Sequence, residues 1–421
     1  MRRNSIFAEG FARPVLLMFV ATILGGGCDY FYQIIMGRQL GPAGYSELNA
    51  LLSIFYIISV PTQTIAAFMV RFVSKYKAEN NENMIAWLIR KTLLISLIIG
   101  ILMAIGIFIA IPSISRFISL SSSFPLFVLM LGTVIVMMSP TGYGTVQGLQ
   151  RFHLSALCGI SGPLTKLGFG VILVIAGYGI SGAFGGAIIG TFFTFVVGLI
   201  SIRDYLIRPV RVTVRPNLSN VERYLFKAII AVVCFSILIN IDVFVARQYL
   251  GPHDAGLYAV ASILSKIIWF LPGAVSTVMF PRVSEYYTKN KETTNLMRKS
   301  IFYTLMITGI VAALYVIAPA EIINLLYGST YLDAAPALSI LGIAMTLFGL
   351  SSLFMNYGLA IESPVYVAIF SIFTILQIIL IMMFHSSIVD IALDLLVTSI
   401  GIFSFSWIYL EIKSKEMKKK K

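Results

Sequence analysis

Four charged residues fall inside stretches that are otherwise apolar: Asp29, Lys166, Asp242 and Lys266. A charge at the centre of a membrane helix costs about 2.5–3.5 kcal/mol, so each needs a reason to be there. Two lysines in a water-filled cavity would attract an anion such as a pyrophosphate, because an ammonium forms charge-assisted hydrogen bonds to phosphate oxygens. A carboxylate there would suit a proton or a sodium ion. The structural alternative places each aspartate near a helix end, paired with Arg38 or Arg247. It pairs each lysine with a carboxylate or a carbonyl. Asp390 and Asp394, one turn apart, read as carboxylates favouring a helix N-terminus, and Glu47 has the same explanation.

These residues need a membrane around them, and the composition supplies one. Of the 421 residues 58% are hydrophobic and 12% charged. A soluble domain carries about 25% charged residues, so the composition fits lipid as the solvent. Twelve apolar runs reach the roughly 20 residues that a span needs, at roughly 13–36, 46–70, 92–111, 124–147, 154–177, 182–202, 226–246, 256–280, 300–318, 334–358, 364–384 and 387–410. Glycines from Gly177 to Gly182 divide the fifth from the sixth. Gly182, Gly186 and Gly190 then line one face, a spacing that lets a neighbouring helix approach closely. Pro61, Pro140, Pro163 and Pro272 interrupt spans and would kink them. Lys166 lies roughly 18 Å into its span and Lys266 roughly 15 Å from the other side, which puts both near the midplane. Asp29 and Asp242 fall in the outer third of spans 1 and 7.

Twenty-six of the 31 Lys and Arg fall in the termini and the even-to-odd loops, against Arg38, Arg116 and Arg247 on the other side. This bias puts both termini in the cytoplasm. It also explains the net charge of +13 without nucleic acid. The loop from Arg203 to Lys227 is the longest and most basic, and suits an anionic leaflet. Asn217-Leu218-Ser219 matches a glycosylation sequon on the cytoplasmic side, where it would not be used. Met1 to Arg13 is short and the next run is long enough to stay as a span, so no cleavable signal peptide is expected. Cys28, Cys158 and Cys234 stand singly, without metal or redox spacing. No P-loop, G-x-S-x-G or H-E-x-x-H is present, and His153, His253 and His385 are isolated. No catalytic residue, cofactor or metal is therefore expected.

One stretch occurs twice. Arg38-Gln39-Leu40-Gly41-Pro42-Ala43-Gly44-Tyr45 is echoed by Arg247-Gln248-Tyr249-Leu250-Gly251-Pro252 and Ala255-Gly256-Leu257-Tyr258. The apolar runs that follow end alike, at Met69 with Val73-Ser74-Lys75-Tyr76 and at Met279 with Val283-Ser284-Glu285-Tyr286. Two copies of one unit in an apolar chain read as a transporter built from related bundles. The expected architecture is an all-α polytopic membrane protein of about twelve helices, in bundles 1–210 and 211–421.

The Arg-x-Leu-Gly-Pro-x-x-x-Tyr motif at Arg38 to Tyr45 resembles the polysaccharide transporter family, which includes the Wzx-type O-antigen flippases. The echo at Arg247 to Tyr258 extends the likeness over the whole chain. Lipid II flippase relatives usually have fourteen spans, against twelve here. The resemblance implies a MATE-like, V-shaped pair of six-helix bundles with alternating access. It implies flipping of a polyprenyl-diphosphate-linked oligosaccharide to the outer leaflet of the cytoplasmic membrane for surface polysaccharide assembly. Lys166, Lys266, Arg38 and Arg247 are then the expected substrate-binding residues, and Asp29 and Asp242 the expected coupling residues for protons or sodium. The expected partners are the lipid-linked substrate, membrane lipids, and the polymerase or glycosyltransferases of the same assembly. The alternatives are a multidrug or cation antiporter of this fold and a membrane-embedded glycosyltransferase. Two lysines near the midplane argue against a cavity for cationic drugs.

The orientation has a direct check. A cysteine replacing Arg215 or Lys289 is expected to react with an impermeant thiol reagent only after the cytoplasmic side is opened, and one replacing Ala43 from outside. Labelling of the Arg215→Cys protein in intact cells would reverse the topology.

Overall fold

The structure is a computed structural model that describes residues 3–208, 219–272, 293–360 and 363–419, with positions 275, 279 and 283. Only the backbone is described for 3–16, 219–229 and 414–419, and for 19, 231, 270, 359 and 360. The cations Arg211, Arg215, Arg282, Lys289 and Lys291, the sequon's Asn217 and Leu218, and Ser284 to Tyr286 of the repeat lie outside the described residues.

Every regular element among the described residues is helical. Helix α1, Arg3–Ala78, is interrupted at Gly41, whose φ of 64° and ψ of 175° turn the chain within the first repeat motif. That left-handed φ favours glycine, which has no Cβ to clash. Then come α2 (Glu82–Phe117), α3 (Phe124–Gly148) and α4 (Phe152–Leu173). A π-helical turn, Val174–Tyr178, joins α4 to α5 (Gly179–Ser201), and positive φ at Gly177 and Gly179 marks the expected division. After the short α6 (Arg203–Ile207) the chain continues in α7 (Ser219–Tyr249) and α8 (Pro252–Phe270). Next are α9 (Thr294–Ile317), α10 (Pro319–Leu326) and a 3-10 turn, Ser329–Ala334. Helices α11 (Ala335–Ala360), α12 (Pro364–Met383) and α13 (Ile388–Lys419) complete the order.

Nine helices among the described residues are long and apolar enough to cross a membrane. Two are far too long for one crossing, Val20–Ala78 with 59 residues and Phe152–Ser201 with 50. At 1.5 Å per residue either would run well beyond the ~30 Å hydrocarbon core, and each divides at its glycines. The eighth expected span, 256–280, overlaps α8, which ends at Phe270, and its remainder falls partly outside the described residues. This is an all-α polytopic membrane protein. The basic loop between spans 6 and 7 is shorter than the sequence suggested. Helix α6 occupies Arg203–Ile207 and α7 already starts at Ser219. Helix α6 stops ahead of Pro209, which disfavours helix at the residue before it.

The chain divides into two compact units, Met1–Leu40 with Ile54–Leu218, and Gly41–Ser53 with Ser219–Lys421. Gly41–Ser53, inside the 1–210 bundle on sequence grounds, clusters with the second unit.

The first unit is built on the glycine face of α5. A Cβ on Gly186 would overlap Gly170 Cα, and one on Gly190 would lie 2.6 Å from Gly162 O and 2.9 Å from Lys166 Cβ. Gly162, Lys166 and Gly170 are spaced by four on α4, so two glycines flank the lysine on the face turned to α5. Small residues let the two backbones touch, which is how helices associate without a hydrophobic drive in lipid. Helix α3 joins α5 in the same way, since a Cβ on Gly142 would lie 2.8 Å from Gly198 Cα. In the second unit α11 is central, with Leu338, Leu341, Met345, Phe348 and Phe354 all buried. Its end forms an aromatic cluster in which Phe354 stacks on Tyr366 and meets Trp407 edge-on. The outward faces stay apolar, as at Ile109, Ile175 and Ile310.

Gly186→Val tests the seam. The atom it would strike is backbone, so the helices must part. Overpacking of this kind costs about 1–3 kcal/mol. The expected outcome is a lowered melting temperature in detergent. The control is Gly106→Val, where a Cβ meets nothing within 4 Å.

Candidate functional site

The seam aims Lys166 at the first span. Lys166 is 8% exposed, and its Nζ donates to Asp29 Oδ1 at 2.9 Å. The ammonium also sits 4.5 Å from the centre of the Tyr32 ring. Asp29 and Tyr32 are three residues apart, so they share a helix face. Tyr32 is fully buried, its hydroxyl donates to Ala183 O at 2.8 Å, and its ring fills the space a Cβ on Gly170 would need. Three helices therefore fix one ammonium. Asp29 was expected in the outer third of its span and Lys166 near the midplane. The two side chains meet directly. Asp29 keeps 46% of its side-chain surface exposed and borders a groove of about 230 Å³. Thr22, Gly26, Tyr143, Ser155 and Pro163 line the same groove.

The second unit has a different arrangement. Asp242 on α7 is fully buried and accepts hydrogen bonds at Oδ2 from Tyr258 Oη and Ser262 Oγ, both at 2.9 Å. Its Oδ1 has no partner among the described residues. Tyr258, Ser262 and Lys266 fall at intervals of four on α8 and so line one face. Lys266 Nζ lies 3.4 Å from Asn240 Oδ1, a neutral acceptor. Asp394 is 7% exposed and its Oδ2 has no partner among the described residues. It was read with Asp390 as a helix-end carboxylate. That holds for Asp390, in the first turn of α13, whereas Asp394 is one turn deeper and buried.

Arg247 was expected to bind substrate or to pair with Asp242. Its Nη1 donates to Ser46 Oγ at 2.9 Å, and its Nη2 lies 3.9 Å from Glu47 Oε2, both side chains buried. Glu47 is thus a buried ion-pair partner, and the helix-end explanation given for it is corrected. The two repeat motifs lie against each other here, in a contact within the second unit. A Cβ on Gly256 would overlap the Pro42 carbonyl, so only glycine fits. Tyr45 Oη lies 3.2 Å from Tyr327 Oη, and its ring packs on Tyr327 and Tyr331. Arg38 lies within the helix, two residues before Leu40, in the first unit. Sequence reasoning singled out Asp29, Lys166, Asp242 and Lys266, and Tyr258 only as part of the repeat. The contacts they make with Tyr32 and Ser262, and that of Arg247 with Ser46, were not read, because buried hydroxyls in apolar runs give no spacing signal.

With this geometry in hand, comparison with known proteins is decisive for the family. Residues 11–287 match the polysaccharide biosynthesis protein family. The chain belongs to that family. It is similar to the probable low-salt glycan biosynthesis flippase Agl15 of Haloferax volcanii, at 24% identity over 338 residues, covering 78% of this chain and 68% of that one. Among solved structures it is similar to an inward-facing multidrug resistance MATE family transporter, with a TM-score of 0.78 at 14% identity, over 94% of this chain and 96% of the other. It is also similar to the lipid II flippase MurJ in an inward closed conformation, with a TM-score of 0.71 at 17% identity, over 96% and 89%. The fold is MATE-like.

Removing one member of a buried charge pair leaves the other uncompensated, at a cost of about 3–5 kcal/mol, whereas replacing both with apolar groups is often neutral. Glu47→Gln and Arg247→Met are each expected to lower the melting temperature, and the double variant to recover most of the loss. Additive losses would show that the pair contributes nothing as a pair.

Proposed function

We propose that the protein flips a polyprenyl-diphosphate-linked oligosaccharide across the cytoplasmic membrane by alternating access, in surface polysaccharide assembly. The observation that carries this reading is the conjunction of a polysaccharide biosynthesis family match over residues 11–287 with a MATE-like transporter fold. The named glycan flippase among its relatives supports the substrate class. On this reading the protein is a transporter and not an enzyme, with both termini in the cytoplasm. Lys166 and Lys266 are the cations that meet the diphosphate. A diphosphate must lose much of its water to cross, and fixed cations in a low-dielectric interior replace part of that hydration. Lysine is a compact point charge, suited to a phosphate that must also leave. Asp242 takes the coupling proton or sodium ion, since it is buried with one oxygen unpartnered among the described residues.

The multidrug antiporter reading rests on fold likeness at 14% identity. It predicts drug resistance on expression. The glycosyltransferase reading predicts incorporation of labelled sugar without translocation.

The test is flipping of a defined lipid-linked oligosaccharide in proteoliposomes, measured per folded transporter. Losing a charged hydrogen bond costs about 1.5–3 kcal/mol, so Lys166→Ala and Lys266→Ala are each expected to slow flipping about tenfold or more. Lys→Arg is expected to retain part of the rate. The double variant should be little worse than either single one, because both act on one headgroup. Asp242→Asn is expected to remove the pH or sodium dependence while the protein still reaches the membrane. Wild-type rates in both lysine variants would sink the reading of these residues as the headgroup site.

A further inference from the structure

The two interior lysines differ in what they hold. Lys266 faces the neutral Asn240, whereas Lys166 is in a 2.9 Å ion pair with a carboxylate. The order of that pair matters. Lys166 is 8% exposed and Asp29 keeps nearly half its side chain open on the groove. An anion entering the groove therefore meets Asp29 before it can reach the ammonium. We propose that Asp29 is a built-in stand-in for the substrate's phosphate, which occupies Lys166 at rest and is displaced when a diphosphate binds. This rests on the reading of Lys166 as a headgroup ligand and adds the acid that competes for it.

Two further observations fit an exchangeable acid. Asp29 is one of several contacts that hold the ammonium. The Tyr32 ring beneath it is anchored to Ala183 O, and α5 closes over its stem at Gly190. An ammonium has three donors, so it can hold a phosphate where it held a carboxylate. Asp29 itself follows Gly25-Gly26-Gly27, and a Cβ on Gly26 or Gly27 would meet nothing within 4 Å. The groove beside Asp29 has room for the displaced carboxylate.

The exchange also suits the membrane. A lone buried ammonium is costly in hydrocarbon, and Asp29 keeps the site neutral while it is empty. Substitution of one anion for another keeps the lysine paired throughout. A diphosphate carries more negative charge than one carboxylate and so competes effectively for the ammonium.

Binding of farnesyl diphosphate to the purified full chain in detergent, followed by calorimetry, tests the proposal. Asp29→Asn removes the competitor and is expected to tighten binding about tenfold, which is about 1.4 kcal/mol. Lys166→Ala is expected to weaken it, and Asp29→Asn with Lys166→Ala to bind no tighter than Lys166→Ala alone. Asp29→Ser serves as a second variant, and a melting curve confirms that each is folded. Unchanged or weaker binding in folded Asp29→Asn and Asp29→Ser overturns the proposal, as does a wild-type chain and variants that all fail to bind the probe. The parent reading fails separately. If the binding pattern is found but the lipid-linked oligosaccharide is not flipped in proteoliposomes, flipping is refuted and the exchange at Lys166 stands. If flipping is found and Asp29→Asn leaves affinity unaltered, the exchange is refuted and flipping stands.

Discussion

Hydrocarbon offers a polar group no partner, so a donor or acceptor left unsatisfied in a span is costly. The consequence is visible along several helices. Thr133, Thr145, Thr308, Thr346 and Thr374 turn their hydroxyls back to the carbonyl four residues earlier. Where a longer side chain is available it crosses to the next helix, as Gln377 does to Leu238 O and Tyr315 to Leu264 O. The Lys166–Asp29 pair is the charged case of the same rule. Its geometry depends on glycine. Without Gly162 and Gly170 on α4 and Gly186 and Gly190 on α5, the helices could not close on the lysine stem and the ammonium would have no fixed direction.

Much of the fold was legible because the same constraint writes itself into sequence. Apolar runs of span length, glycines at Gly177 to Gly182, and the doubled Gly-Pro motif all have counterparts in the helices. The chemistry of the site was legible only in part. Four interior charges stood out because each is costly, but their partners did not. Asp29 and Lys166 are far apart in sequence and were expected at different depths. Nothing in either neighbourhood says that the two side chains will meet. Glu47 has an ordinary explanation at a helix start, and only the packing of Gly256 on Pro42 brings Arg247 to it. Asp394 looked like its neighbour Asp390 because a single turn separates surface from interior.

The repeat also misled in register. Asp29 and Asp242 lie in corresponding helices, yet Asp242 is five residues before Arg247 and the residue five before Arg38 is Gln33. The two carboxylates are therefore a turn apart in the repeat, and their surroundings differ accordingly. One is exposed and holds a cation, and the other is buried among hydroxyls with an oxygen to spare. The motif tyrosines diverge in the same way. Tyr258 bonds to Asp242, while its counterpart Tyr45 meets Tyr327. Duplication preserved the scaffold, and substitutions one turn along each helix gave the halves different chemistry.

The first motif has a mechanical consequence as well. After Gly41 the second arm of α1 runs without a further break in backbone geometry to Ala78. Its start, Gly41–Ser53, belongs to the second unit and the rest to the first. Its helical geometry continues through Pro61, which lacks the N–H for a bond to the residue four before it, so the kink expected there does not break the helix. The left-handed Gly41 is a joint, because glycine adopts such backbone at little cost. Both ends of this arm are held by close backbone packing. Pro42, beside the joint, lies so close to Gly256 that an added Cβ would overlap its carbonyl, and Gly144 and Gly148 of α3 sit as tightly against Ala66, Val70 and Val73. The first end differs in carrying polar contacts as well, from Tyr45 to Tyr327 and from Ser46 and Glu47 to Arg247. Packing of this kind sets how near the backbones come, and the directional contacts set their register, so the start of the arm is the end whose position is specified twice.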